Sequence, residues 1–373
     1  MIYFDNAATT KYKPKEVLEA LNYYLTEIGV SPGRGSYSLG IEASRMLYKS
    51  RVTIGDFFGM KHPERVVFTK NSTEAANLLF NGILEAGDHV VISCYEHNAV
   101  LRPLHNLKQK GIIDYSIIEK DDLELDAESI FNKYAKGNTR LIAITLASNL
   151  TGRIVYDAEL MKYFHKKGII TFVDSSQGAG KVRLNMESDG VDFLAFTGHK
   201  DLYGVPGVGG LCCESKAVFR PLIQGGTGIH GENYCNPEIF PEGYESGTLN
   251  MPAIWALKAG VEYVNSNFLA IKEKENILIG RLLEELCGLK GIKLYDAMNN
   301  RVSTCCFTVD ELSSDKVVAL LDSKDICVRG GIHCAILAHE ALGTVNTGTV
   351  RVSLSHMNTD TEIDRFIDIL KNR

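Results

Sequence analysis

Seven short apolar runs punctuate the first two-thirds of the chain: RVVFT (65–69), HVVISC (89–94), IDYSII (113–118), RLIAITLA (140–147), IITFVD (169–174), VDFLAF (191–196) and VGGLCC (208–213). Most are apolar at successive positions rather than alternate ones, the pattern of strands covered on both faces. Between several of them apolar residues recur at helical spacing, as in TEAANLLFNGIL (73–84) and DAELMKYFHKKG (157–168). This alternation predicts an α/β fold with a mainly parallel sheet flanked by helices. From about Pro252 the pattern changes to two helical stretches (252–265 and 268–288), short strands at 303–309 and 348–355, and a last helix, TEIDRFIDILKN. The expected organisation is an N-terminal segment (1–14) packing with a small domain, a large domain (15–251), and a smaller α+β domain (252–373). The glycine-rich piece at 225–243 reads as a mobile or functional loop.

Composition narrows the class. With 45% hydrophobic and 23% charged residues the chain is an ordinary globular protein. A net charge of −6 without a basic run argues against a nucleic-acid surface, and no apolar stretch is long enough to span a bilayer. The N-terminus, MIYFDNAATT, has Asp5 and Asn6 where a signal peptide needs apolar residues, so a cytoplasmic location is expected. Nine irregularly spaced cysteines make a poor disulfide framework. Without a CxxC no structural zinc is expected, and His333-Cys334 with His339 is only a weak ligand cluster.

In parallel sheets ligands sit at the carboxyl ends of strands, and the polar clusters of this sequence fall there. Asp174 ends the strand IITFVD, with Gln177 just beyond. A carboxylate there can pair with a protonated ring nitrogen, or equally cap the next helix. FTGHK ends the next strand, with Thr197, His199 and Lys200. Asp and Lys at these strand ends form the pattern of a pyridoxal phosphate (PLP) site, the lysine binding the aldehyde. In NSTEAAN, Asn71, Ser72 and Thr73 open a helix whose free amides can take a phosphate, or simply cap it. His97, after HVVISC, can stack on a flat ring, and Asn149, in SNLTGR, can reach a ring hydroxyl. In the second domain, RGGIHCA places Cys334 beside His333 and near Arg329, on what reads as a flexible loop where cations favour the thiolate. Arg351 suits bidentate carboxylate binding or a surface salt bridge.

YFDNAATT, NSTEAAN, EHN, SNLTG, VDSSQ, TGHK, ESGTLN and RGGIHCA occur in the order found in PLP enzymes of the class V aminotransferase fold, and the chain most resembles their cysteine desulfurase and selenocysteine lyase branch. The resemblance implies the fold type I, seven-stranded architecture and a homodimer. It implies Lys200 as Schiff-base lysine, Asp174 as partner of the pyridine nitrogen, Gln177 as donor to the ring hydroxyl and His97 as stacking and catalytic histidine. Ser72, Thr73, Thr197 and His199 would hold the phosphate, joined by Thr248 from the other subunit. Asn6, Asn149, Arg329 and Arg351 would bind the substrate, L-cysteine or L-selenocysteine. Cys334 would take the sulfur as a persulfide, pass it to an acceptor protein, and leave alanine. Two departures stand out. Ile332-His333 replaces the paired histidines common in short-loop desulfurases, and Asp201 and Leu202 lengthen the usual HK-x-x-G spacing.

Competing readings are a β-lyase, racemase or aminotransferase in which Cys334 has no covalent role, and a non-catalytic binding relative. The presence of both Lys200 and Asp174 argues against the last. A dinucleotide-binding reading of GVPGVGG (204–210) fails because that stretch precedes a strand instead of opening a helix.

Overall fold

In a computed structural model, residues 1–33 and 37–373 are described. Their strands, in chain order, are β1 (Ile2–Tyr3), β2 (Val66–Thr69), β3 (Asp88–Ser93), β4 (Ile113–Ile118), β5 (Thr139–Thr145), β6 (Ile170–Asp174), β7 (Phe193–Thr197), β8 (Gly209–Cys213), β9 (Ile292–Tyr295), β10 (Thr304–Val309), β11 (Ile326–Cys327), β12 (Arg329–Gly331) and β13 (Thr349–Ser353). The seven apolar runs form one sheet in the order β2-β8-β7-β6-β5-β3-β4. β4, β3, β5, β6 and β7 are parallel, while β8 runs antiparallel to both β7 and β2.

Both faces of this sheet are buried, which is why its strands read as apolar throughout. Val90 and Ile92, Leu141 and Ala143, and Phe193 and Ala195 enter one core. Their neighbours Val91, Ile142, Ile144, Leu194 and Phe196 enter the other. The period of two thus divides each strand between two helical layers.

Beyond the sheet, β12-β13-β10-β9 form an antiparallel sheet with its own core, built around Phe307, Val350, Val352 and Phe366. β1 pairs in parallel with β11, and Ser353 N donates to Phe4 O at 2.8 Å.

Two expectations are corrected. The two helices foreseen at 252–265 and 268–288 are one 37-residue helix, Met251–Cys287. The polar run Asn265-Ser266-Asn267 looks like a break, yet all three residues are exposed, and Val261, Val264, Phe268 and Ile271 keep the buried stripe in register. The flexible loop expected at 329–343 is also more ordered. Arg329–Gly331 is a strand paired with β13, and Ile336–Leu342 is a helix.

Candidate active site

The carboxyl ends of β2, β3, β5, β6 and β7 converge on a cavity of about 250 Å³. Its walls include Ser72, Thr73, His97, Asn149, Asp174, Gln177, Thr197, His199, Lys200, Arg329, Cys334 and Arg351. A larger cleft of about 560 Å³ lies beside Tyr234 and Cys235 but gathers no such cluster of ionisable groups. Asn6, and Thr248, which was expected to serve the other subunit, lie outside this cavity. Asn6 turns its amide into the N-terminal packing, donating to Ser353 O at 3.0 Å. Thr248 is exposed, in a separate cleft with Thr69 and Gly207.

Asp174 is almost fully buried, with Oδ1 accepting from Ser176 N at 3.0 Å and from the Ser176 hydroxyl. That hydroxyl also lies 2.7 Å from Ser72 Oγ, linking the end of β6 to the helix Ser72–Ile83. Asn71 caps this helix by accepting from Glu74 N at 3.0 Å, so the amides of Ser72 and Thr73 have no intrahelical partner. The helix can approach because β8 carries glycine. A Cβ at Gly209 would stand 2.7 Å from Asn71 Cα.

Burial governs the charges. Desolvation pushes the Lys200 amine down to about 8, against the opposing pull of Asp174. His97 falls to about 4 through desolvation and the nearby Lys200. Its Nδ1 accepts from Ala99 N at 3.0 Å, so the neutral ring carries its proton on Nε2. His199 also falls to about 4, from desolvation and the cations Lys200 and Lys13. Beside His97, burial raises the carboxyl of Glu96 to about 8.

The Arg351 guanidinium is buried on β13, where it donates to Asp5 Oδ1 at 2.7 Å and Asn149 O at 3.0 Å while Nε has no partner. Arg329 is its register partner on β12. The Cys334 turn is held, not loose. Asn149 Nδ2 donates to His333 O at 2.7 Å, and Asn98 N donates to Cys334 O at 2.9 Å. His333 and Cys334 both adopt left-handed backbone, φ 55° and 56°, a conformation that costs non-glycine residues free energy. The expectation of a cationic histidine beside the sulfur is corrected: desolvation and Arg351 push His333 down to about 3. Arg329 and Arg351 are the cations on this wall.

A family model described as "Aminotransferase class-V" matches residues 2–366. The chain belongs to the class-V aminotransferase family. Among its relatives, a probable cysteine desulfurase of Methanothermobacter thermautotrophicus is 32% identical over 99% of this chain and 94% of its own. One from Pyrococcus abyssi is 34% identical over 100% and 94%. The solved apo structure of a cysteine desulfurase from Thermococcus onnurineus NA1 superposes with a TM-score of 0.91, at 34% identity over 100% of this chain and 94% of that one.

Class-V aminotransferase enzymes of this kind work with PLP, and the residues present fit it. Thr197 Oγ1 and Asn149 Oδ1 are buried on the cavity wall without a hydrogen-bond partner, a costly state that a polar ligand relieves. A carboxylate, two free helix amides and an amine stand around one small cavity. Gln177 lines the cavity, and its Nε2 uses one of its two hydrogens on Ala7 O at 2.8 Å. Among the described residues no group of three His, Cys, Asp or Glu side chains could hold a metal ion.

Sequence reasoning passed over several partners. Asp5 lies within the quoted YFDNAATT, and Ser176 within VDSSQ, but nothing local marks either as a neighbour of Arg351 or Ser72. Thr9, Thr10 and Lys13 all donate to the carbonyl of His199, at 3.0–3.1 Å for the side chains. They join residues some 190 apart in sequence.

Proposed function

We propose that the protein is a PLP-dependent cysteine desulfurase, releasing L-alanine from L-cysteine and retaining the sulfur on Cys334. The observation that carries this reading is the meeting of Lys200, Arg351 and Cys334 on one cavity. Bound PLP supplies an electron-accepting pyridinium ring, kept protonated by Asp174. Lys200 would hold the cofactor's aldehyde and, once free, its amine would carry the substrate's α-proton. Its amine titrates near 8, so at neutral pH an appreciable fraction is free base. Ser72, Thr73, Thr197 and His199 hold the phosphate, and the neutral His97 faces the ring. Arg351 takes the substrate carboxylate, its orientation fixed by Asp5 and the Asn149 carbonyl.

The sulfur step balances within the site. The Cys334 thiolate attacks the substrate sulfur, an S–S bond forms and the substrate's C–S bond breaks. The electron pair passes to the substrate carbon, which takes a proton to become the methyl group of alanine. Cys334 is left as a persulfide; a thiolate of an acceptor protein attacks its outer sulfur, a new S–S bond forms on the acceptor, and the Cys334 S–S bond breaks to return the thiolate. The protein acts as a homodimer in which Thr248 of one subunit completes the phosphate site of the other. Its nine free cysteines fit a reducing, cytoplasmic setting.

Incubation with L-cysteine and with L-selenocysteine tests the reaction class. Alanine with sulfide or selenide supports desulfuration or deselenation. Pyruvate and ammonia would replace it with β-elimination.

A further inference from the structure

Three buried ionisable side chains meet behind Lys200. Lys181 Nζ stands 3.1 Å from Asp201 Oδ1 and 3.2 Å from Glu275 Oε2, and all three side chains are less than a tenth exposed. They come from separate elements: the turn after β6, the loop after β7 and the long helix Met251–Cys287. Lys181 Nζ also donates to Ser303 Oγ at 2.7 Å, and Glu275 Oε1 accepts from His356 N at 3.1 Å.

The charge arithmetic is uneven. One ammonium faces two carboxylates, and a bridge serving only to hold the fold needs one. Excess buried charge is costly unless another cation shares it. The contact of Asp201 with Lys181 is an ion pair without an aligned hydrogen bond, so its carboxylate is not saturated. Asp201 is also the residue next to Lys200, in the segment lengthened relative to HK-x-x-G.

That segment has little freedom. Thr10 Oγ1 donates to both His199 O and Lys200 O at 3.1 Å. Tyr203 N donates to Lys200 O at 2.9 Å, and Gly204 N to Gly198 O at 2.8 Å. Tyr203 OH meets His356 Nδ1 at 2.9 Å. The long helix presses on the turn so closely that a Cβ at Gly260 would stand 2.1 Å from Leu202 O.

We propose that Asp201 is a positioning residue for Lys200: anchored through Lys181 to Glu275, it fixes the turn carrying the cofactor lysine and adds its negative charge to that of Asp174. Lys181 contacts both Asp201 and Glu275, Lys13 and His356 also feel the charge of Asp201, and Asp174, Arg351 and Arg329 act on Lys200 beside it. Asp201 acts on Lys200 in the direction that favours the ammonium. Removing its charge therefore makes the nitrogen lose its proton at lower pH.

The inference rests on Lys200 being the cofactor lysine, and its test separates the two. The absorption of the lysine-bound cofactor is titrated with pH in the holoenzyme. Asp201→Asn is expected to lower the midpoint by about half a unit to one unit. Asp201→Glu restores it. Glu275→Gln, removing the more distant charge, lowers it by less. A packing defect alone lowers the melting temperature and leaves the midpoint in place. An unmoved midpoint in folded, cofactor-bearing Asp201→Asn overturns the inference, as does an unmoved midpoint in Glu275→Gln if the asparagine variant does not fold. A wild-type protein with no lysine-bound cofactor band defeats the assignment of Lys200 instead.

Discussion

Arg351 shows what a single residue contributes and how much of it a sequence reveals. Its chemistry is readable, since a guanidinium suits a carboxylate. Its setting is not, because Asp5 and Asn149 reach it from 346 and 202 residues away. Lysine at this position keeps the charge but loses the planar fork, so it cannot hold substrate while bonding both partners. Arg351→Lys is therefore expected to raise KM for L-cysteine by about tenfold or more, with the cofactor spectrum unchanged. An unaltered KM would contradict the carboxylate role. His333 illustrates the opposite limit. Beside Cys334 it reads as a cation, but protonation depends on burial, and burial is set by residues that local sequence does not display.

At the scale of elements, the strands were legible because both faces of the sheet are apolar, and the motifs at their ends were legible because each follows a strand. Irregular segments were harder. The turn around Cys334 contains glycines, which suggest mobility, yet Gly330 and Gly331 lie in β12. The long helix was missed because three polar residues in a row resemble a break when their exposure is unknown. Two glycines in that helix offer a paired test. Gly260→Ala forces a methyl against Leu202 O and should destabilise by about 1–3 kcal/mol, although alanine is the better helix former. Gly280 has nothing within 4 Å of a Cβ, so Gly280→Ala should stabilise by up to about 1 kcal/mol. Denaturant unfolding of both variants reads the difference. Equal effects would mean that the helix does not bear on the turn.

For the whole molecule, burial of several histidines favours the fold at neutral over acid pH, and the raised carboxyls of Glu96 and Asp201 oppose them in part. His97, His199 and His356 are held near 4 and His333 near 3, mainly by desolvation. Unfolded histidines titrate near 6.5, so between these values the unfolded chain binds more protons. Stability from this source is complete above about 6.5 and is lost as pH falls toward 4. The melting temperature of the cofactor-free protein should fall over that window. A flat profile would contradict the expectation that the four rings outweigh the opposing carboxyls. Assembly belongs to the same scale, where a single chain is least informative. Tyr48 and Ile229 are exposed beside one cleft, while Leu222, Ile223 and Thr248 border another, an apolar surface suited to a second copy. Sedimentation should find a dimer, and Thr248→Ala should release PLP faster. A fully active monomer would refute the shared site. The proposed transfer of sulfur to Cys334 is read by mass spectrometry of its peptide after L-cysteine, with alanine quantified in parallel. One added sulfur is expected on Cys334 in the wild type, and Cys334→Ala should retain PLP but make almost no alanine. Alanine formed at the wild-type rate by that variant, with no added mass on the wild-type Cys334, would contradict it.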